Sequence, residues 1–345
     1  MKAIQVVEPG DMRLVDVEMP ALKTPTSVIV KVKAAGICGS DVHILHGKNP
    51  YATYPRIVGH EVAGVIAQVG EQVTKYHVGD RVVVEPILFC GKCYPCRTGR
   101  QNVCENLQVY GVHMEGAFEE YMCAEESALH ILPEGISFEQ GALIEPYTIG
   151  AQGLWRTDAK AGDICLIHGA GPIGLVTLDL AKEAGLTCIV SELSEPRRKM
   201  AEAFGADRVV NPAEEDLKQA VDEMTEGKGA NIIFDAVGIP ALVEASIPLL
   251  SAAGRFLEYG YGFGKAAVDF DLMNKKELTV LGTRHQNYRF APVIEQFKNH
   301  LDKVDMLKTH VFKVDDYEKA FRVFEDKNSG ACKVVIVFDG EGGEQ

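Results

Sequence analysis

The chain lacks any apolar run approaching the roughly 20 residues that span a bilayer, which excludes a membrane bundle. Its first residues, MKAIQVVEPGDM, show neither a basic segment leading into an apolar one nor a small-residue cleavage site. Export is therefore not expected, and a cytoplasmic location is. Basic residues are scarce, 35 against 49 acidic, and the resulting net charge of −14 opposes nonspecific nucleic-acid binding. Internal repeats, low-complexity tracts and long linkers are missing too. What remains is ordinary globular composition, 46% hydrophobic and 24% charged. At about 100–200 residues per domain, the 345 residues predict two domains. These exclusions leave a small molecule as the expected partner, with no role for a membrane or nucleic acid.

The nine cysteines are an odd number, and without a secretory signal they do not suggest a disulfide framework. Four of them, Cys90, Cys93, Cys96 and Cys104, fall within 15 residues, with two, two and seven residues between successive thiols. Tetrahedral zinc takes four thiolates, and four protein ligands leave no open position, so such an ion would brace a lobe. An iron–sulfur cluster also takes four thiolates, and a redox dithiol needs one CxxC. Elsewhere, Cys38-Gly39-Ser40-Asp41-Val42-His43 and Gly59-His60-Glu61 offer a thiol and imidazoles that are ordinary zinc ligands. Each alone is more often a packed structural residue.

Short strands are expected in the first part, at SVIVKVKAAG, VAGVIAQVG and DRVVVEP. Near residue 160 the pattern changes to strand-then-helix units, the signature of a parallel sheet. Strands are expected at 164–168, 187–191, 208–210, 232–235, 255–259 and 278–281. Helices are expected at 173–184, closed by Gly185, and after Ser194 and Pro196, closed by Gly205. The tail GEGGEQ is expected to fray.

The segment His168-Gly169-Ala170-Gly171-Pro172-Ile173-Gly174 places GxGxxG between an expected strand and an expected helix. There Gly169 makes the turn, Gly171 admits a pyrophosphate and Gly174 allows close helix packing, with Pro172 and Ile173 opening the helix. Free N–H groups and the helix dipole favour phosphates at that end. Glu192, 18 residues beyond Gly174, suits the ribose hydroxyls and repels a 2′-phosphate. NAD is therefore expected over NADP, although Arg197 and Arg198 lie close enough in sequence to serve an extra phosphate. Ala236 and Val237, after a later strand, are expected to line the same crevice.

Taken together, GICGSDVH (36–43), GHEVAGVI (59–66), the four-cysteine lobe and HGAGPIG (168–174) closely resemble the zinc-dependent medium-chain dehydrogenases, the alcohol dehydrogenase superfamily, over essentially the whole chain. The resemblance implies an α/β protein with a β-rich GroES-like catalytic domain, 1–150 and 283–345, and an inserted Rossmann NAD-binding domain, 151–282, with a doubly wound parallel sheet. It implies two zinc ions per chain, the structural one on the four clustered cysteines. Where alcohol dehydrogenase has a second cysteine ligand, Leu143-Ile144-Glu145-Pro146 offers Glu145. That departure resembles the polyol, threonine and sugar-acid dehydrogenase branch. In that branch Cys38, His60 and Glu145 would ligate the catalytic zinc, with Glu61 binding directly or through water; otherwise Glu145 is a surface carboxylate before a turn-forming proline.

The implied reaction is reversible oxidation of a secondary hydroxyl of a polyol or sugar acid such as an aldonate, with hydride passing to NAD. Ser40 would pass the hydroxyl proton through the cofactor ribose to His43, unless both merely cap and pack their helix. By the same resemblance, His113, Glu115 and Phe118 in GVHMEGAFEEY approach the substrate, and Thr283 and Arg284 lie near nicotinamide and substrate, where Arg284 would pair with a carboxylate. L-Threonine 3-dehydrogenase shares this ligand set and is the alternative activity. A catalytically silent NAD(H)-binding protein is the alternative of another class. A homodimer or homotetramer is the assembly the resemblance implies.

Overall fold

The structure is a computed structural model describing residues 1–260 and 264–338. The tail 340–345, expected to fray, lies outside the described residues. The chain divides into two compact units, Met1–Glu145 with Phe290–Gln345, and Pro146–Arg289. By comparison, the sequence-based cuts at 150/151 and 282/283 fall inside the helix Ile144–Arg156 and at the end of the strand Thr279–Gly282.

The first unit is built on the strand Ser27–Gly36. It pairs antiparallel with Glu61–Val69, Tyr121–Glu125 and Lys333–Val337. The alternation in SVIVKVKAAG suggests one wet face, but eight of its ten residues are buried, because neighbours cover the strand on both faces. Lys333–Val337 brings the end of the chain back beside residues 34–36, with Val335 opposite Gly36. A small sheet of Lys2–Glu8, Asp11–Asp16 and Arg56–Ile57 adds a second layer. Between the two-residue strands Ile87–Leu88 and Gln108–Val109, which pair with each other, the chain makes the cysteine-bearing excursion.

The second unit holds six parallel strands: Ile164–His168, Thr187–Ser191, Arg208–Val210, Ala230–Asp235, Leu250–Glu258 and Thr279–Gly282. Their spatial order is third, second, first, fourth, fifth, sixth, the doubly wound arrangement whose strand ends form a ligand crevice. Leu166, Ile189, Ile233 and Phe256 are buried on one face of this sheet, as expected where helices cover it. Helices Pro172–Glu183 and Glu195–Ala203 follow the first two strands, each with proline in its first turn, where the missing N–H costs nothing. Ser194 occupies the N-cap position, yet its side chain makes no capping bond; its own N–H donates to Glu192 Oε1 at 2.8 Å. Among the described residues no helix is long and apolar enough to cross a membrane.

Candidate active site and cofactor loop

In the first unit Cys38 ends the approach to the helix Gly39–Leu45 and His60 immediately precedes the strand Glu61–Val69. One ligand atom from each of Cys38, His60 and Glu61 lies within 4.8 Å of the other two. Asp41 organises this cluster from behind. It is fully buried, and it accepts the Cys38 N–H at 2.9 Å and the Gly59 N–H at 3.1 Å. Its Oδ1 also stands 3.5 Å from His60 Nδ1, an outer carboxylate that fixes the ring and leaves Nε2 facing away. Ser40 Oγ lies 3.5 Å from that Nε2. Burial pushes the His60 pKa down, but the charges of Asp41 and Cys38 outweigh it and carry the net shift upward.

Glu61 is held on one side only. Lys333, itself buried, forms a short ion pair with Glu61 Oε1 and donates to the Ile37 carbonyl at 3.2 Å. Glu61 Oε2 is buried with no hydrogen-bond partner among the described residues. The carboxylate fits only because position 36 is glycine: a Cβ there would overlap Glu61 Oε2. Glu145 sits in the first turn of the helix Ile144–Arg156 and is buried, so the reading of a surface carboxylate before a turn is overturned. Pro146 continues that helix instead of turning the chain. Burial, opposed by His60 and reinforced by Glu61, pushes Glu145 up to about 7. Glu145 is not in the mutually close trio, where the structure places Glu61 instead. A thiol, an imidazole and an orphaned carboxylate oxygen converging on one point suit a divalent cation of the zinc type.

The four sulfurs of Cys90, Cys93, Cys96 and Cys104 also lie within 4.8 Å of one another. Sγ–Sγ separations of 3.3 Å (Cys93 to Cys96), 3.5 Å (Cys104 to Cys90) and 3.7 Å (Cys93 to Cys104) are of the size spanned by the ligands of a single four-coordinate ion. Backbone N–H groups of Lys92 and Cys93 hold the Cys90 thiol down at about 6, favouring the thiolate.

The second unit carries the glycine-rich turn. Gly169 has φ +85 and donates its N–H to the Ser191 carbonyl at 2.8 Å. Gly171 is the N-cap of Pro172–Glu183, and a Cβ on it would meet nothing within 4 Å, which leaves a cradle above the helix N-terminus. A Cβ on Gly174 would overlap the Gly169 carbonyl, so that glycine is required for the helix to seat. Glu192 accepts the Ala170 N–H and the Ser194 N–H, each at 2.8 Å, binding the turn to the next strand's end. Arg198 donates to the carbonyls of Glu192 and Leu193 and is thereby committed to the backbone, while Arg197 is half-buried on the same helix. Ala236 N–H reaches the His168 carbonyl at 3.0 Å, and Val237, 42% exposed, packs its side chain toward Gly169. Thr283 donates its N–H to the Glu258 carbonyl at 3.3 Å. An open glycine cradle with free N–H groups fits a dinucleotide phosphate.

The residues expected near substrate fare differently. Phe118 is fully buried against Gly59 and edge-on to Phe321 at 5.9 Å, so it is a core residue supporting the His60 loop and cannot touch a substrate. Glu115 is likewise structural, accepting from Arg56 at 3.0 Å and Ile57 N–H at 2.7 Å. His113 is half-buried, accepts the Val109 N–H at Nδ1 and lies 6.2 Å from the Tyr51 ring. Arg284 is half-buried in the segment after Thr279–Gly282, between Thr283 and the left-handed His285 at φ +49. Two residues at the cluster escape the sequence reading. Asp41 carried a signal, its place three residues after Cys38 at a helix start. Lys333, 272 positions from Glu61, carried none.

Cation-suited side chains in one unit and a dinucleotide cradle in the other define a metal-assisted oxidoreductase. The family described as alcohol dehydrogenase GroES-like domain matches residues 24–134, and that described as zinc-binding dehydrogenase matches residues 172–301. The chain is 37% identical to an L-threonine 3-dehydrogenase of Pyrococcus furiosus over 346 residues, covering 98% of each. It is 32% identical to a sorbitol dehydrogenase of Halalkalibacterium halodurans over 343 residues, covering 97% of this chain and 99% of the relative. A crystal structure of an alcohol dehydrogenase (rspB) from Escherichia coli CFT073 in complex with NADH superposes with a TM-score of 0.93 at 35% identity, covering 98% and 99%. The chain belongs to the zinc-type alcohol dehydrogenase superfamily and is an oxidoreductase of that class, with a GroES-like unit and a Rossmann unit.

Proposed function

We propose that the protein oxidises a secondary hydroxyl of a polyol or sugar acid reversibly to a ketone, using zinc and NAD. The carrying observation is the trio Cys38, His60 and Glu61 with an unpaired Glu61 Oε2, a carboxylate-bearing donor set harder than two cysteines and a histidine. Identity to a sorbitol dehydrogenase supports the polyol class. Cys38, His60 and Glu61, with Glu145 beside them, would hold the catalytic zinc, and Cys90, Cys93, Cys96 and Cys104 the structural one. When bound, zinc supplies the Lewis acidity that lowers an alcohol's pKa, and nicotinamide supplies the hydride acceptor.

The chain's own residues do the rest. Asp41 orients the His60 ring, and Lys333 holds Glu61 in place while leaving Oε2 free to act. Ser40 Oγ takes the hydroxyl proton and passes it toward His43, three residues along the same helix and so on the same face. Burial, with Lys48 and His46 adding to it, lowers the His43 pKa, so the imidazole is neutral and ready to accept. In the Rossmann unit the N–H groups after Gly171 would hold the pyrophosphate and Glu192 the ribose. Arg198 is engaged by carbonyls, which favours NAD over NADP. Thr283 would stand at the nicotinamide end of the bound cofactor.

L-Threonine is the second substrate reading, on the strength of 37% identity to a threonine dehydrogenase. NADH formation with sugar alcohols, aldonates and L-threonine, each with NAD and NADP, separates the two. Turnover on polyols or aldonates with NAD is expected. Activity confined to threonine would replace the polyol reading, and a preference for NADP would overturn the role given to Glu192.

A further inference from the structure

We propose that Glu258 is a positioning residue for the dinucleotide: it donates a proton to Asp235, and this shared proton holds two strand-end turns against the glycine-rich loop. The inference rests on the NAD-dependent reading and adds to it a pH response of cofactor binding.

The last rung of the parallel sheet aligns Ser191, His168, Asp235, Glu258 and Gly282 on adjacent strands. Asp235 is fully buried. Its Oδ1 accepts the N–H groups of Val237 at 2.8 Å and Gly238 at 3.2 Å, which shapes the turn after its strand. Its Oδ2 is buried and meets no N–H or O–H donor among the described residues. The residue opposite it on the rung is the half-buried Glu258, whose side chain leaves the neighbouring parallel strand on the same face of the sheet as Asp235. Glu258 Oε1 accepts the Gly260 N–H at 2.6 Å and shapes the second turn. A carboxyl proton on Glu258 is the donor that Asp235 Oδ2 lacks, and two adjacent carboxylates ionise together only at a high cost.

Among the described residues, His168, Glu244, Tyr259 and Thr283 near the pair are neutral or engaged elsewhere. His168, on the neighbouring strand, donates from Nε2 to Ser246 Oγ at 2.8 Å, the Ser246 hydroxyl being spent on the Leu242 carbonyl. Burial holds the imidazole near 4, hence neutral, and its Nδ1 is also buried without a partner among the described residues. From the helix Pro240–Ser246, Glu244 is engaged by the Ala267 N–H. Tyr259, next in the chain, turns to Thr177 and the Gly150 carbonyl, and burial raises its pKa. Thr283 offers Glu258 a backbone N–H and a neutral side chain. Burial, followed by the Asp235 charge, pushes Glu258 up to about 7.

The pair communicates with the cofactor cradle through direct contacts. A Cβ on Gly260 would overlap the Gly238 backbone, so the two turns touch. A Cβ on Gly169 would come 2.9 Å from Val237 Cγ2, so the first of these turns rests on the loop's first glycine. Loss of the shared proton sets two like charges side by side under both turns and displaces them from the loop.

NADH binding, followed by fluorescence titration of the zinc-loaded full-length protein between about pH 6 and about pH 9, tests this. The dissociation constant is expected to stay level below about pH 7 and then to rise toward the limit of about tenfold per pH unit for one linked proton. In Glu258→Gln the amide N–H replaces the proton permanently, so binding should stay at the acid-limb affinity throughout. In Asp235→Asn the neighbouring charge is gone and the midpoint should move to lower pH. A level wild-type profile, or a Glu258→Gln profile that matches wild type, overturns this inference while leaving the NAD-dependent reading intact. No NADH binding at any pH overturns both.

Discussion

Burial by itself would lower the Lys333 pKa, yet Glu61, Cys38 and Glu145 place enough negative charge around the ammonium to raise it. The lysine therefore stays charged and Glu61 stays paired, although burial pushes the Glu61 carboxyl toward its neutral form. Removing one partner of a buried pair strands the other. Lys333→Met is accordingly expected to destabilise the first unit by about 3–5 kcal/mol, with Lys333→Arg recovering much of the loss; a denaturant titration of the three proteins checks it. The residue scale is also where sequence reading was weakest. Cys38, His60 and Glu61 stand out only through the motifs GICGSDVH and GHEVAGVI taken together, since each residue alone is ordinary. Phe118 was expected at the substrate because the resemblance brings its segment there, but nothing local says that its ring fills the space left by Gly59.

At the scale of elements, the most legible features were those with local punctuation. Strand Ile164–His168, the glycine turn and helix Pro172–Glu183 announce themselves through an apolar run, three glycines and a proline. Helix Leu217–Thr225 lacks such emphasis, yet Asp216 caps it by accepting from Lys218 N–H at 2.9 Å and Gln219 N–H at 3.2 Å. Asp216→Ala should cost about 1 kcal/mol, read as a lower thermal midpoint with unchanged cofactor affinity, because the cap does not touch the glycine loop. Helix Ile144–Arg156 was hidden by the Glu-Pro pair, which reads as a turn. A proline in a first turn removes no helical hydrogen bond, so helix formation was decided by the twelve or so residues around it.

For the molecule as a whole, the two cysteine-bearing clusters predict two zinc ions per chain. Metal analysis of the purified protein is expected to return two, and Cys38→Ala to return one. The same variant should lose turnover while NADH binding persists, since Cys38 and the glycine loop belong to different compact units. One ion in the wild type, or full activity in the variant, would remove the catalytic assignment.

Charge, the cysteine spacing, the GxGxxG turn and the alternating strand–helix pattern were determined by the sequence itself, because each depends on neighbours within about 20 positions and on side-chain chemistry that no fold alters. The partner of Glu61, the burial of Glu145 and the rung joining His168, Asp235 and Glu258 were decided only by tertiary structure. Strand pairing brings Lys333 across 272 positions and sets three separate strand ends in register. Such contacts are fixed by hydrogen-bond ladders between distant segments, and those leave no periodicity for a linear reading to find.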